Sequence, residues 1–365
     1  MNNEKKYNQS YFAKAPLGVW GLLLLTFLLT SCKTSMVFTT LDILRPAQVE
    51  FPLEVENLLI INNSKIQPAD VGHNTRFFNG QTQDFYASAD SVSLFALSVL
   101  AEEIEQTNFF TSVDLLLNSV NQSADFNTIT PLSRAAVNRL FGTHNVDAIL
   151  SLDHIVVRSE IQEYYHRDWS YFSAVLDVRY DSFWSIHYPN NAPPVALHFQ
   201  DSLFWLSESH RRSHALEGLP NREDAIIDGA LWVGTNSARR FVPFWEESDR
   251  FFYDSNNRLM RQAMERVVHR DWEGAIEFWT QAFNSTNNSR RRAEASNNIA
   301  IAHEILGNYD EALRYARISF DIYNARTVVN SGALIRLAEY ILELSRRQQE
   351  VLLLNRQLGV TSPNP

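Results

Sequence analysis

Histidines, carboxylates and one thiol are the side chains in this sequence whose types and spacing could do chemistry. His210-Arg211-Arg212-Ser213-His214 has the i, i+4 spacing of two metal ligands on one helix face. No glutamate follows His210 to act as a base, however, and Gly218 and Pro220 make the segment read as a solvated loop. Asp153-His154 and His166-Arg167-Asp168 hold the residue types of an acid–base pair. Neighbours on a strand point to opposite faces, so Asp153 and His154 are not expected to cooperate. No nucleophile elbow, Walker loop or dinucleotide fingerprint is present. Tyr164-Tyr165 and Trp169-Ser170-Tyr171-Phe172 form an aromatic cluster suited to a binding lip or to strand packing. Arg290-Arg291-Arg292 reads as a solvated helix start. The expectation is a non-enzymatic protein with no catalytic residues, no metal site and no cofactor.

The thiol is Cys32, the one cysteine of the chain. Lys5, Lys6 and Lys14 precede an apolar stretch from Val19 to Leu29, broken by Gly21 and Thr26, which runs into Leu29-Thr30-Ser31-Cys32. A basic start, a short apolar core and small residues before a cleavage point describe a secretory signal over residues 1–31. The apolar run falls short of the about 20 residues that a membrane-spanning helix needs. Leu29-Thr30-Ser31-Cys32 resembles the lipobox of bacterial lipoproteins, which implies a diacylglycerol on the Cys32 thiol and an acylated amine. Each buried acyl CH₂ adds about 0.8 kcal/mol of membrane affinity, so two or three chains anchor a protein without insertion. The sequel Lys33-Thr34-Ser35 has no aspartate directly after Cys32 and no acidic cluster. By the habits of such lipoproteins, that implies a periplasm-facing place on the outer membrane.

The chain carries a net charge of −10, and removing the +2 of Lys5, Lys6, Lys14 and Glu4 leaves the part from Cys32 onward near −12. Nucleic acid and acidic lipid are poor partners for such a surface. Hydrophobic residues make up 45% and aromatics 12%, enough for packed cores without disulfides. The expected partners are the membrane, through the lipid anchor, and a protein or a second copy.

The elements that would position these residues begin after an anchor and linker over 32–50. Val55–Ile61, closed by Asn62-Asn63-Ser64, reads as a strand. Asp90 or Ser91 caps a helix in which Leu97, Leu100, Ala101 and Ile104 recur on one face. Phe109–Val113 reads as a strand. Thr130-Pro131 start a second helix that Gly142 stops, and Ala148–Val157 reads as a central strand. Alternation then puts Phe172, Ala174, Leu176, Val178 and Tyr180 on one face. Further strands around Phe183–Tyr188 and Val195–Leu206 give an antiparallel meander. A helix through Ala225, Ala230, Val233 and Ala238 ends near Pro243. The fold class is a mixed α/β (α+β) sheet domain over 51–243. Val55–Ile61, the helix through Leu100, and Phe141-Gly142-Thr143-His144-Asn145-Val146-Asp147-Ala148-Ile149-Leu150 loosely resemble the amino-terminal domain of the TolB translocation protein and the curli-secretion lipoprotein.

Beyond Pro243 the strand signals stop, and an all-α domain is expected over 244–356 with a tail over 357–365. Arg270-Asp271-Trp272-Glu273-Gly274-Ala275-Ile276-Glu277-Phe278 recurs as Gly307-Asn308-Tyr309-Asp310-Glu311-Ala312-Leu313-Arg314-Tyr315. Ala263 and Ala300 stand at equal offsets ahead of Ala275 and Ala312. These stretches resemble tetratricopeptide repeats, in which small residues let paired helices approach. Ala333–Leu354 reads as a degenerate repeat or a cap. The resemblance implies a concave, partner-binding face bearing Asn297, Asn298, Ile301 and Glu304 from the second repeat and Arg261 and Met264 from the first. Asn298 falls where peptide-clamping members keep an asparagine for the ligand backbone. The two parts together resemble a family of Gram-negative envelope lipoproteins, which implies a scaffold that binds protein through its repeats. The rival expectation is an oligomeric secretion or pore component in which Phe172–Leu206 refold as membrane hairpins. Asp177, Arg179 and Asp201 weigh against it, because lipid-facing strand positions resist charge.

Overall fold

The computed structural model describes residues 35–120, 125–190, 192–325 and 331–360; the expected signal segment and Cys32 lie outside the described residues, as does the end of the expected tail. Among the described residues the order is β1 (Ser35–Arg45), β2 (Asn57–Asn62), β3 (His73–Arg76), β4 (Thr82–Asp84), α1 (Val92–Thr107), β5 (Ser112–Leu116), α2 (Arg134–Thr143), β6 (Ala148–His166), β7 (Tyr171–His187) and β8 (Val195–Ser209). There follow α3 (Arg212–Glu217), α4 (Arg222–Phe241), β9 (Phe244–Asp254), α5 (Arg258–Val268), α6 (Trp272–Asn284), α7 (Ser289–Ile305), α8 (Tyr309–Asn324) and α9 (Ser331–Gln357). A mixed sheet region therefore precedes an all-helical one. No described helix is long and apolar enough to cross a membrane. Two compact units divide the chain: a sheet unit of Ile43–Glu246 with the residues from Glu350 on, and a helical unit of the residues up to Asp42 with Glu247–Gln349.

In the sheet unit β2 lies between parallel neighbours β5 and β6. Leu58, Leu59, Ile60 and Ile61 are all fully buried, because helices cover both faces: Leu58 and Ile60 pack with residues of α1 and α4, while Leu59 and Ile61 pack with Val137 of α2. Such a strand is a continuous apolar run rather than an alternating one, and each buried leucine or isoleucine contributes about 1.5–3 kcal/mol. Gly234 brings α4 close to α1, since a Cβ there would stand 2.6 Å from the Ala96 carbonyl oxygen.

β6 is twice as long as its apolar stretch suggests. Its first half pairs with β2 and its second, Ser159–Gln162, with β3, past an irregularity between Leu152 and His154. Along its other side runs β7, which is one strand rather than two. The polar Asp181 and Ser182 break the apolar pattern but not the ladder, which continues against β6 and β8 through them. Ala174, Leu176, Val178 and Tyr180 are buried, and the Tyr180 hydroxyl donates to the Ile226 carbonyl at 2.5 Å.

Other departures are local. α2 starts at Arg134 rather than after Thr130-Pro131, because the Ser133 hydroxyl accepts from Ala136 N at 3.3 Å as its N-cap, and Gly142 lies inside the last turn. The second strand of the parallel set is shifted to Ser112–Leu116. Residues 212–217, expected as loop, form one short helix that starts beyond His210. The stretch expected as linker holds β1. The largest departure is β9, an 11-residue strand where helix is expected: Arg250, Phe252 and Tyr253 are buried in it, and charged residues in its first half hide the strand pattern.

The helical unit is built from α5 to α8 and most of α9. Ala263, Ala275, Ala300 and Ala312 are fully buried, so the small residues at matched offsets are where paired helices meet. The turns match as well. Arg270 (φ 56°) ends the α5 side of one pair and Gly307 (φ 76°) the α7 side of the next. A left-handed conformation costs a non-glycine residue about 1–2 kcal/mol. Arg270 is exposed, so Arg270→Gly is expected to stabilise the helical unit by about 0.5–1 kcal/mol after the added chain entropy of glycine is counted. Chemical denaturation monitored by tryptophan fluorescence checks it; an unchanged or lowered midpoint contradicts the reading.

Candidate functional site: a strand clamp on the helical unit

α7 was expected to line an open groove, yet every residue from Ala293 to Ala302 is buried. The chain's own strand β9 covers it. Asn298 Oδ1 accepts from Tyr253 N at 2.8 Å and its Nδ2 donates to Tyr253 O at 2.8 Å. Asn297 Nδ2 reaches Phe251 O at 3.3 Å. Residues two apart on a strand turn their backbone groups to the same side, so the two asparagines serve one edge of β9. The other edge belongs to β1, with Thr40 Oγ1 donating to Asp249 Oδ1 at 2.8 Å and Phe38 packed on Phe251. Rising numbers on one strand meet falling numbers on the other, so the pair is antiparallel.

The rest of the face closes around this strand. Arg250 donates to Glu304 through Nε at 2.8 Å and Nη2 at 2.6 Å, and Tyr340 Oη donates to the same carboxylate at 2.8 Å. Burial works against the Arg250 charge, but the hydrogen bonds and charge of Glu304 outweigh it and raise its pKa. Burial, followed by the Glu304 charge, drives the Tyr340 phenol well above its ordinary range, so it stays a donor. Breaking a buried pair of this kind costs about 3–5 kcal/mol. Phe252 stacks on Trp279 at 5.4 Å and on Trp272 at 6.1 Å. Of the residues expected on an open face, Asn297, Asn298, Ile301 and Glu304 are buried, Met264 is half-buried in the same apolar cluster, and Arg261 alone is exposed. The structure thus brings five of the six together, around the chain's own backbone. Sequence reasoning missed Arg250, Tyr253, Trp272, Trp279 and Tyr340; the apolar triplet Phe251-Phe252-Tyr253 was the available signal.

The sheet unit concentrates its buried polar groups near the carboxyl ends of β2 and the parallel part of β6. Asp153 accepts from Asn63 Nδ2 at 2.9 Å, Ser151 Oγ at 2.8 Å and Ser185 Oγ at 2.5 Å. His187 lies buried, its pKa lowered by burial with Asp153 opposing. His154 instead packs between Phe126 and Phe183, so Asp153 and His154 do part to opposite faces. Arg222, buried at the start of α4, donates to the carbonyls of Ser159 and Asn74 and to the hydroxyls of Ser159 and Thr75. Beside it His73, 2% exposed, shares a hydrogen bond with Ser159 Oγ at 2.8 Å. Burial, and then the Arg222 guanidinium, lower the His73 pKa to about 4. His210 reaches the Ser170 carbonyl at 3.2 Å. Among the described residues no three His, Cys, Asp or Glu side chains converge as a metal site would require. Tyr165 packs on Phe172 and Tyr171 on both His166 and Trp169, so the aromatics gather at the β6–β7 turn.

A mixed-sheet unit and a helical unit that clamps a strand of its own chain define the class of protein. The family model described as Domain of unknown function (DUF8603) matches residues 55–253, and the chain belongs to that family. A second model, Domain of unknown function (DUF6340), matches residues 261–346. The clamped residue Tyr253 closes the first match, and the clamping helix lies in the second. No curated protein matches the chain.

Two measurements follow from this geometry. Asn298→Ala strands the buried N–H and C=O of Tyr253, at about 1–3 kcal/mol each, so a loss of about 2–5 kcal/mol is expected in denaturation, with faster hydrogen exchange at the Tyr253 amide. Arg261→Ala, on the exposed side, is expected to change stability by less than about 0.5 kcal/mol. Equal stability of both variants would remove the clamp from the fold's support. The second measurement is pH dependence. A histidine held below its free value of 6.5 binds its proton more readily in the unfolded chain. Its contribution is therefore complete above pH 6.5 and falls as pH drops toward 4, by roughly 3 kcal/mol. His73→Gln is expected to show a shallower acid slope in unfolding titrations, and an unchanged slope would show that other groups carry it.

Proposed function

We infer that this chain is an envelope lipoprotein, held in the outer membrane by a lipid on Cys32 and facing the periplasm, where it serves as a non-enzymatic scaffold for another protein. The observation that carries the reading is the strand clamp. β1 starts three residues after Cys32 and pairs with β9, whose second edge is held by Asn297 and Asn298. Three residues span at most about 11 Å, so a lipid on Cys32 holds the helical unit close to the bilayer and leaves no long tether. A buried, self-satisfied network of Asn298, Glu304, Arg250 and Tyr340 suits a rigid platform. It offers no proton acceptor to a substrate. Because β9 fills the repeat face, the partner is read by the outward helical surface, where Arg261 stands, and not by a peptide threaded past Asn298.

Radiolabelled palmitate and a photo-crosslinking amino acid test both halves of this reading. Label is expected in the wild-type protein and not in Cys32→Ser, which should leave the membrane fraction. A crosslinker at position 261 is expected to trap a distinct envelope protein, and one at buried position 298 is expected to trap none. An unlabelled wild type defeats the anchor. Trapping at 298 and not at 261 defeats the outward surface.

A further inference from the structure

β8 is the outermost strand of its sheet. Only one of its sides is paired, with β7, and no hydrogen bond from any other described segment reaches the backbone of Ser202–Ser209. A row of free N–H and C=O groups is a template for another strand, and proteins that must avoid pairing blunt such edges with lysine, proline, a bulge or an inward charge. This edge has little of that. No lysine or proline occurs from Val195 to Ser209, and the β7–β8 register runs without a shift. The inward charge, Asp201, is neutralised by Arg240 at 2.8 and 2.5 Å and accepts from Asn236 Nδ2 at 2.7 Å. At the middle of this edge the solvent face is apolar: Phe204 is 71% exposed and Leu206 56%, in a strand whose inner face is partly buried, with Leu197, Phe199 and Trp205 packed on the core.

We propose that β8 pairs edge to edge with β8 of a second copy, antiparallel and centred on Trp205, joining two sheets into one. The sequence is self-complementary about that centre. Phe204 faces Leu206 of the second copy, and Leu206 faces its Phe204, so the two exposed apolar side chains cover each other twice. Leu203 meets Ser207, Ser202 meets Glu208, and Asp201 meets Ser209, so no carboxylate faces a carboxylate. All these pairs join positions of like parity, which a two-fold antiparallel ladder requires for its hydrogen bonds and its shared face.

Thiol crosslinking of the full-length protein in its own envelopes tests the register. Opposed residues in an antiparallel pair lie about 4.5–5.5 Å apart at Cα, within disulfide reach. Diagonal ones lie about 7–8 Å apart, beyond it. Co-expressed Phe204→Cys and Leu206→Cys copies are therefore expected to give a disulfide-linked dimer on mild oxidation, about tenfold more than either variant alone or than Leu342→Cys, an exposed control on the helical unit. The wild type reports any background from Cys32. Sedimentation of the detergent-solubilised full chain gives a second readout: a dimer for the wild type and a monomer for Leu206→Lys, whose exposed position leaves the fold intact. A mixed-variant yield no greater than the control, a monomeric wild type, or a crosslink to a different protein would each overturn the pairing.

Discussion

An extended strand buried among helices has two edges of hydrogen-bonding groups, and both must find partners away from water. β9 meets this constraint with unlike partners: β1 supplies a ladder on one edge, and two neighbouring asparagines of α7 supply side-chain amides on the other. A carboxamide presents the same donor and acceptor as a peptide group, so Asn298 continues the ladder where no third strand exists. Arg250 and Phe252 then project into the helices, where Glu304, Trp272 and Trp279 receive them. The small residues at the helix crossings allow the close packing that makes the site dry, and dryness makes each of these pairings costly to lose.

The sheet unit meets a different constraint, that of one strand serving two neighbourhoods. β6 belongs first to a parallel, doubly covered sheet and then to a long antiparallel meander. The irregularity at Leu152 and His154 is where it passes from one to the other. Polar side chains gather on both sides of that point: Asp153 is surrounded by donors, and Arg222 binds backbone carbonyls of β3 and β6 while His73 meets the Ser159 hydroxyl. The arrangement positions strands. Asp153 accepts from hydroxyl and amide donors, and Arg222 divides its guanidinium evenly between two carbonyl and two hydroxyl oxygens.

Much of this was legible in the residue pattern. β2, α1, the buried face of β7, α4 and both helix pairs follow from periodicity, because their neighbours impose the periods of 2 and 3.6 that burial demands. β9 was not, since Glu246-Glu247-Ser248-Asp249-Arg250 carries charge through a segment that long-range partners hold in place. Asn298 was recognisable as a residue that grips a backbone; which backbone it grips is set by a segment 45 residues away, and no local pattern encodes that. The start of α2 went to Ser133 because a hydroxyl that reaches the third amide of the turn outcompetes a proline already well placed for a start. The residue pattern divides β7 in two because Asp181 interrupts its apolar residues, although Asp181 is itself held by Arg158 and Gln200.

The pairing of β1 with β9 also sets the order in which the molecule can be completed. Thr40 and Asp249 are separated by 209 positions, so β1, made early in synthesis, waits unpaired until most of the chain has followed. Contacts of such sequence separation slow folding, because a long loop must close before they repay its entropy. The residues of β1 are thus secured late. Until β9 arrives, the backbone edge that β1 later gives it stands open, a row of unpaired N–H and C=O groups that any other strand could take.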